Sequence, residues 1–382
     1  MTMLSDARPG TAEDDVAGIV PAEVVRPGSA QEVAEVLRAG AGAVVPVGSG
    51  SKIGWAAPPT SLDTVLDLSG LDRVVEHTAG DLVVIAEAGV PLAALQEQLA
   101  ASGQLLGLDP PEAGATLGGI VSANASGPRR LRYGTVRDLL IGVTVILADG
   151  TTARSGGKVV KNVAGYDLGK LYTDAHGSLG VVVSTTWRLH PVPPACGAVR
   201  VPVEDAGTAG RFAQLLARST LTPSAVELLW KNGAGELVVL FESIPESVEA
   251  QSEQVLTLLG AGERIELATD FGQRPSGEVL LRIAFEPYAL PAVLRALPAA
   301  AQVTVSAVTG VAYAGLPDAE RLAEIRTAIA PYDGSAVVLR APLSSGLDHW
   351  GPVPDSFALM QRVKERFDPR RRLSPGRFLG GL

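Results

Sequence analysis

Apolar residues recur at helical spacing in GSAQEVAEVLRAG (Gly28–Gly40), where Ser29 is a candidate N-cap and Gly40 a stop. The short apolar run AVVPVG that follows predicts a buried strand, and TVLDL and DLVVIAEAGV predict two more. PLAALQEQLAASG predicts a helix opened by Pro91 and closed by Gly103. Strands and helices therefore alternate through the first hundred or so residues, as in an α/β layer. From Leu139 the pattern changes. LLIGVTVILADG, TTARSGG and LGVVVSTTWRLHPV predict strands with few helices, and ADGT is a hairpin turn. The prolines of PVPPA (Pro191–Ala195) mark a boundary. Beyond it, from about Val199 to Leu343, helices such as AGRFAQLLAR alternate with strands such as ELVVLFES, EVLLRIAF and SAVVLRA. That region predicts an α+β sandwich with an antiparallel sheet. The tail Asp355–Leu382 holds one helix and then FDPRRRLSPGRF, and the sequence carries no repeat or low-complexity stretch.

At 382 residues the chain has room for more than one core. Its net charge of -9 argues against nucleic acid as a partner, which usually needs a basic face. The single cysteine, Cys196, excludes a disulfide framework, a cysteine zinc site and an iron–sulfur cluster within this chain. The start MTMLSDARPGTAEDD lacks a basic opening and an apolar core, so no signal peptide is expected. The longest apolar run, Leu139–Ala148, is about half of a membrane span. No transmembrane segment and a cytoplasmic location are the expectation.

The stretch VVPVGSGSKIG (Val44–Gly54) holds three glycines, two serines and one lysine. A Walker A loop needs Gly-Lys followed by Ser or Thr, whereas Lys52 follows Ser51 and precedes Ile53. Gly48, Gly50 and Gly54 miss the G-x-G-x-x-G spacing of a Rossmann loop, although Asp67 imitates its ribose-binding acid. Pro58-Pro59 also forbids the helix such a loop must enter. Two readings remain: a nest of backbone N–H groups around an anion, or a tight turn. A second glycine-rich stretch, Asp109–Val143, contains ANASGPRRLRYG, and a third is GGKVVKNVAGYDLGKLYTDAHGSLGVVV (Gly156–Val183). Long runs of small residues suit a surface lying flat against a large ligand.

These three segments resemble the FAD-binding domain of the vanillyl-alcohol oxidase and p-cresol methylhydroxylase family, over residues 17–193. FDPRRRLSPGRF resembles that family's closing segment. GGKVVKNVAGYDLGKLY together with ANASGPRRLRYG is similar, more narrowly, to the FAD-binding E subunits of bacterial glycolate oxidase. The resemblance implies an α+β fold with a two-lobed p-cresol methylhydroxylase-type FAD domain (17–193). An α+β cap with an antiparallel sheet (199–350) and a segment returning to the FAD domain (355–382) would complete it. It implies that backbone groups of Val47, Gly48, Ser49, Gly50 and Ser51 meet the FAD pyrophosphate. Thr116, Gly118 and Gly119 would face pyrophosphate and ribose, and Ala123, Asn124, Ser126 and Gly127 would lie along the flavin. Gly180 and Val182 would take the adenine end. His77, His176, His190 and Cys196 lie outside the attachment segments of covalent relatives, so non-covalent FAD is expected.

The resemblance further implies glycolate oxidation to glyoxylate, with a catalytic flavin subunit and an iron–sulfur subunit as partners in one complex. Placement at the inner face of a membrane would then come through those partners. Yet no histidine lies between His190 and His349, so the cap lacks the metal-binding histidines of related catalytic subunits; no catalytic residue and no metal ligand is assigned. A non-catalytic FAD relay or scaffold, and a self-sufficient oxidase of another small 2-hydroxy acid or alcohol, stay open. Arg282 and Arg340 are candidates to grip a carboxylate or to form sheet-surface ion pairs, and Tyr313 and Trp230 to wall a pocket or fill a core. Lys158, Lys161 and Lys170 are candidates for phosphate or a solvated loop. RVKERFDPRRR reads as an exposed helix end or a docking face.

Overall fold

A computed structural model describes residues 6–158 and 166–382. The chain forms two units: unit 1 takes Met1–Ser126, Thr135–Val192 and Pro352–Leu382, and unit 2 takes Gly127–Gly134 and Pro193–Gly351.

In unit 1, strands β1 (Ala7–Pro9), β2 (Glu23–Val25), β3 (Val44–Val47) and β4 (Thr64–Asp67) form one sheet in the order β1-β2-β4-β3. β4 runs parallel to both β2 and β3, as a chain crossing over through a helix requires. That helix is Ala30–Ala39; the Ser29 hydroxyl accepts the Glu32 N–H, and Val33, Val36 and Leu37 are its buried stripe. Next come β5 (Val74–Thr78), β6 (Val83–Glu87), β7 (Gln104–Leu105), β8 (Leu140–Ile146), β9 (Thr152–Gly156), β10 (Val181–Arg188) and β11 (His190–Pro191). Five of them make an antiparallel sheet, β5-β6-β10-β8-β9, and β7 pairs with β11. β8 begins one residue later than the apolar run because Thr135 and Asp138 close a capping box that holds Val136–Leu139 in a helical turn. Leu37, Leu66, Ile146, Val181 and Leu373 share one core.

The C-terminal segment is bound into unit 1. Within the helix Phe357–Phe367 the one buried residue is Lys364. Its ammonium donates to the Ser178 carbonyl at 2.7 Å, the Asp368 carboxylate at 2.8 Å and the Leu373 carbonyl at 2.9 Å. The same Asp368 oxygen accepts the Leu373 N–H at 2.7 Å. Burial lowers the Lys364 pKa, opposed by its carboxylate partner. Arg372 is also buried and donates to the carbonyls of Gly42, Leu37 and Ala148. The docking-face reading of RVKERFDPRRR is therefore corrected at two positions. Lys364 and Arg372 bond inward because six acceptors within unit 1, five carbonyls and the Asp368 carboxylate, need donors, whereas Arg362, Arg366, Arg370 and Arg371 are exposed.

Unit 2 is one eight-stranded antiparallel sheet: β12 (Ala195–Val203), β13 (Ala225–Lys231), β14 (Ala234–Ser243), β15 (Glu263–Ile265), β16 (Val279–Ala284), β17 (Gln302–Ser306), β18 (Val311–Leu316) and β19 (Ser335–Arg340). Its order, β15-β12-β14-β13-β17-β18-β16-β19, joins two β-α-β-β-α-β units edge to edge through β13 and β17, the second in reverse order. Helices Ala206–Arg218, Pro245–Leu259, Leu290–Ala296 and Leu322–Ile329 contribute to the main core with one face of the sheet. That face supplies Val199, Leu228, Trp230, Phe241, Leu281 and Val305, which makes Trp230 a core residue. Among the described residues no helix is long and apolar enough to cross a membrane.

Lys364→Met should destabilise the chain by about 3–5 kcal/mol, because it leaves the Asp368 carboxylate buried without its cation. Lys364→Met with Asp368→Leu should recover part of that loss. Urea unfolding monitored by tryptophan fluorescence checks both; a single-mutant loss below about 1 kcal/mol would contradict the clamp.

Candidate functional site

β3 ends at Val47, and the chain turns through Gly48–Ser51 without entering a helix. The Ile53 N–H bonds to the Gly50 carbonyl and the Trp55 N–H to the Lys52 carbonyl, each at 2.9 Å, so successive turns carry the chain towards Pro58. Gly50 has φ +72°, and a Cβ built there would meet no atom within 4 Å. The loop therefore presents bare, left-handed backbone to open space. Gly48 is the opposite case: a Cβ would lie 2.2 Å from the Thr116 hydroxyl oxygen, so only glycine admits this approach.

Thr116 caps the helix Leu117–Ala123, its hydroxyl accepting the Gly119 N–H at 3.4 Å. The loop Asp174–Ser178 is pinned to that helix by Asp174 N–H to Val121 carbonyl and His176 N–H to Ser122 carbonyl. Loop, helix and pinned segment thus surround one cavity within unit 1. Val47, Gly48, Ser49, Gly50 and Ser51 line it on one side, and Thr116, Gly119 and Ala123 on another.

Three further residues line the same cavity: Lys52, His176 and Arg377. The Lys52 ammonium donates to the Ser51 hydroxyl at 3.1 Å, and the Arg377 guanidinium to the Ile53 carbonyl at 2.5 Å. Burial pushes Arg377 down to about 10, so it stays cationic at neutral pH. His176 packs at 6.0 Å from the Phe378 ring. Two cations beside a bare glycine backbone and a threonine hydroxyl suit the two negative charges of a diphosphate, so this cradle fits the pyrophosphate of FAD. Sequence reasoning used Lys52 only to reject a Walker loop and left Arg377 in the tail. Nothing local signals Arg377, which reaches a loop 324 positions away.

The other expected site residues are placed differently. Gly118 faces Ala88, whose Cβ would lie 2.8 Å from an added Cβ, so this glycine seats the helix against the end of β6. Asn124 ends the helix in the left-handed region at φ +47°, and Ala125 and Ser126 are buried beyond it. Gly127 opens a segment of unit 2. Gly180 abuts Val145, and Val182 is paired with Val145 in the β10–β8 ladder. Each of the last two has a packing reason of its own. Lys158 pairs with Glu76 at 2.5 Å and Lys170 with Asp167 at 3.6 Å, both near the surface, while Lys161 lies outside the described residues. Arg340 is exposed and donates to the Gly277 carbonyl at 3.3 Å. Among the described residues no group of three His, Cys, Asp or Glu side chains could hold a metal ion.

Residues 21–156 match the family FAD binding domain, and residues 349–378 match the C-terminal domain of FAD linked oxidases. The glycolate oxidase subunit GlcE of Escherichia coli is 38% identical over 155 residues, covering 40% of this chain and 44% of GlcE. A D-lactate dehydrogenase of Archaeoglobus fulgidus is 31% identical over 247 residues, 59% of this chain and 55% of that protein. The glycolate oxidase subunit GlcD of Bacillus subtilis is 29% identical over 214 residues, 55% of this chain and 46% of GlcD. The chain thus spans about half the length of the curated relatives it matches. A solved structure of alkyldihydroxyacetonephosphate synthase superposes with TM-score 0.72 at 18% identity, covering 94% of this chain and 78% of that one. That likeness establishes the fold, and the matched domains establish FAD as the cofactor.

Gly50→Val places a β-branched residue at positive φ, which costs about 1–3 kcal/mol of strain, and fills the space left open for the ligand. The expected product is a folded protein that purifies largely without FAD. Arg377→Ala should also lose flavin. Full flavin content in Gly50→Val, read from the absorbance ratio of flavin to protein, would reduce the loop to a simple turn.

Proposed function

With FAD as the cofactor of an FAD-binding domain spanning residues 21–156, we propose that this chain is the FAD-binding subunit of a glycolate oxidase type of complex. In this reading it takes part in oxidising a small 2-hydroxy acid, glycolate to glyoxylate, with electrons passing through FAD to an iron–sulfur partner. The observation that carries the reading is the cradle of Gly48–Ser51, Lys52, Thr116 and Arg377 inside that domain. The GlcE relative supports the choice of complex, and the hydroxy-acid dehydrogenase among the relatives supports the substrate class.

When bound, FAD supplies the two-electron acceptor for the carbon that loses hydrogen. This chain's own part is to hold the diphosphate by backbone N–H groups, two cations and one hydroxyl. The proposed partnership follows from what one cysteine cannot build, since four-cysteine cluster ligation is out of reach here. Within the proposed complex, the exposed arginines Arg362, Arg366, Arg370 and Arg371 offer a cationic contact face.

Acid precipitation of the purified holoprotein should release all of its flavin as FAD; colour left in the pellet would refute non-covalent binding. Glycolate added anaerobically to the single chain should leave the flavin oxidised. Bleaching should appear once a second flavin subunit and an iron–sulfur subunit are co-expressed. Robust glycolate turnover by the single chain, with a dye as acceptor, would overturn the partnership.

A further inference from the structure

The C-terminal helix is built inside out. Over Phe357–Phe367 the one buried residue is the cationic Lys364, while Leu359, Met360 and Val363 stand at helical spacing and stay partly or largely exposed. An apolar stripe of this kind normally packs on a core. Here it forms one wall of an open groove of about 500 Å³ within unit 1, and Leu359 is 55% exposed. Leu171, Leu179 and Phe378 face it across the groove. Ala175 and Ser178 line the groove as well, whereas His176 and Arg377 line the cofactor cradle. The same two segments thus wall the groove on one side and the cradle on the other.

Both lips of the groove carry cations. Arg137 and Lys170 line one of them. On the helix, at about 3.6 residues per turn, Arg362 and Arg366 fall beside Leu359 and away from Lys364. Most carboxylates on the segments that build the groove are engaged. Asp138 closes its capping box, Asp167 faces Lys170 at 3.6 Å, and Asp174 lies 3.5 Å from His176. Glu365 faces Arg371 at 3.7 Å, and Asp368 is bound by Lys364. A main-chain oxygen of Leu382, which also lines the groove, accepts the Phe378 N–H at 3.0 Å. The guanidinium groups of Arg137, Arg362, Arg366 and Arg370 make no hydrogen bond or ion pair among the described residues, and Asp355 is the one acid of these segments in that condition.

We propose that this groove takes an amphipathic helix of a partner polypeptide. Its apolar ridge would lie against Leu359, Met360 and Val363, and its acidic flanks against the arginines of both lips. An exposed apolar patch rimmed by polar groups marks an interaction surface, and a helix laid into a groove is a recurrent way to fill one. A concave groove matches a convex ridge, whereas a bilayer surface is flat. Unengaged arginines at the rim favour an acidic partner, speed its encounter and repel a basic one. That the partner is a subunit of the complex rests on the function proposed above, whereas the groove rests on unit 1 alone.

The test uses the full-length holoprotein and a labelled amphipathic peptide about five turns long, with leucines at helical spacing and glutamates on both flanks. Fluorescence anisotropy should show the peptide binding, and raised salt should weaken it. A copy with lysines in place of the glutamates should not bind. Leu359→Asp and Arg137→Glu should each weaken the glutamate peptide by about tenfold or more. Both positions are exposed, and an unchanged flavin content checks that each variant is folded; Arg366→Glu replaces either variant that fails this check. A lysine peptide that binds equally well, or a glutamate peptide that fails to bind or ignores the substitutions, would overturn the groove. Capture by phosphatidylglycerol vesicles that Leu359→Asp abolishes would make a membrane the occupant, and a dimer that Leu359→Asp splits would make it a second copy; either result overturns the proposal. Peptide binding without assembly with co-expressed flavin and iron–sulfur subunits would instead overturn the proposed function and leave the groove standing.

Discussion

A parallel bridge between Val44 and Leu373 is the constraint on which the rest of unit 1 depends. It brings the last residues of the chain alongside β3, the strand that leads into the glycine loop. A single bridge is weak, and three buried charged residues hold it. Lys364 and Asp368 tie the helix to the returning strand, and Arg372 bonds three carbonyls from Leu37, Gly42 and Ala148. Each charge is costly to bury, and the hydrogen bonds made by Lys364 Nζ, Asp368 Oδ2 and Arg372 Nε and Nη1 offset that cost. Arg377 reaches the cofactor cradle because this clamp precedes it in the chain. The C-terminal segment thus both packs into unit 1 and lines the cavity beside the glycine loop.

Charge is handled differently in the two units. In unit 1 the buried cations meet carbonyl oxygens and one carboxylate, and Lys52 and Arg377 line the cavity beside the glycine loop. In unit 2 the sheet separates the tasks by face. One face is closed by helices with apolar side chains, which leaves the other free to carry arginines, acids and a phenol. Alternation along each strand makes this possible, since neighbouring residues point to opposite sides. The doubled β-α-β-β-α-β topology yields a wide sheet, and β13 and β17 meet at its centre.

Much of this was legible in the order of residues. The helix at Ala30–Ala39 follows from apolar spacing, a serine cap and a closing glycine. The absence of a helix after Ile53 follows from Pro58-Pro59. The glycines and serines of Gly48–Ser51 left a nest and a tight turn both open, and the positive φ at Gly50 is compatible with either. Gly118, Gly180 and Val182 are less clear from sequence, since a glycine read as making room for a ligand equally makes room for Ala88 or Val145. Composition cannot separate those uses, because both need the same missing Cβ.

Local pattern alone determined most of the elements, the class of the two regions and the glycine-rich, non-helical course of the first loop, since these depend on residues close in the chain. Tertiary structure alone decided which distant residues share a site. Lys364 and Arg372, in a run of charges that looks solvated, are buried because the fold places carbonyl acceptors around them. The mirrored halves of unit 2 left no repeat in the sequence, because topology constrains where side chains point and not which ones they are. Arg377 joins Lys52, and Arg130 and Arg274 join Tyr313, across separations of more than thirty positions. No periodicity spans such distances; only the packing of the whole chain brings those groups together.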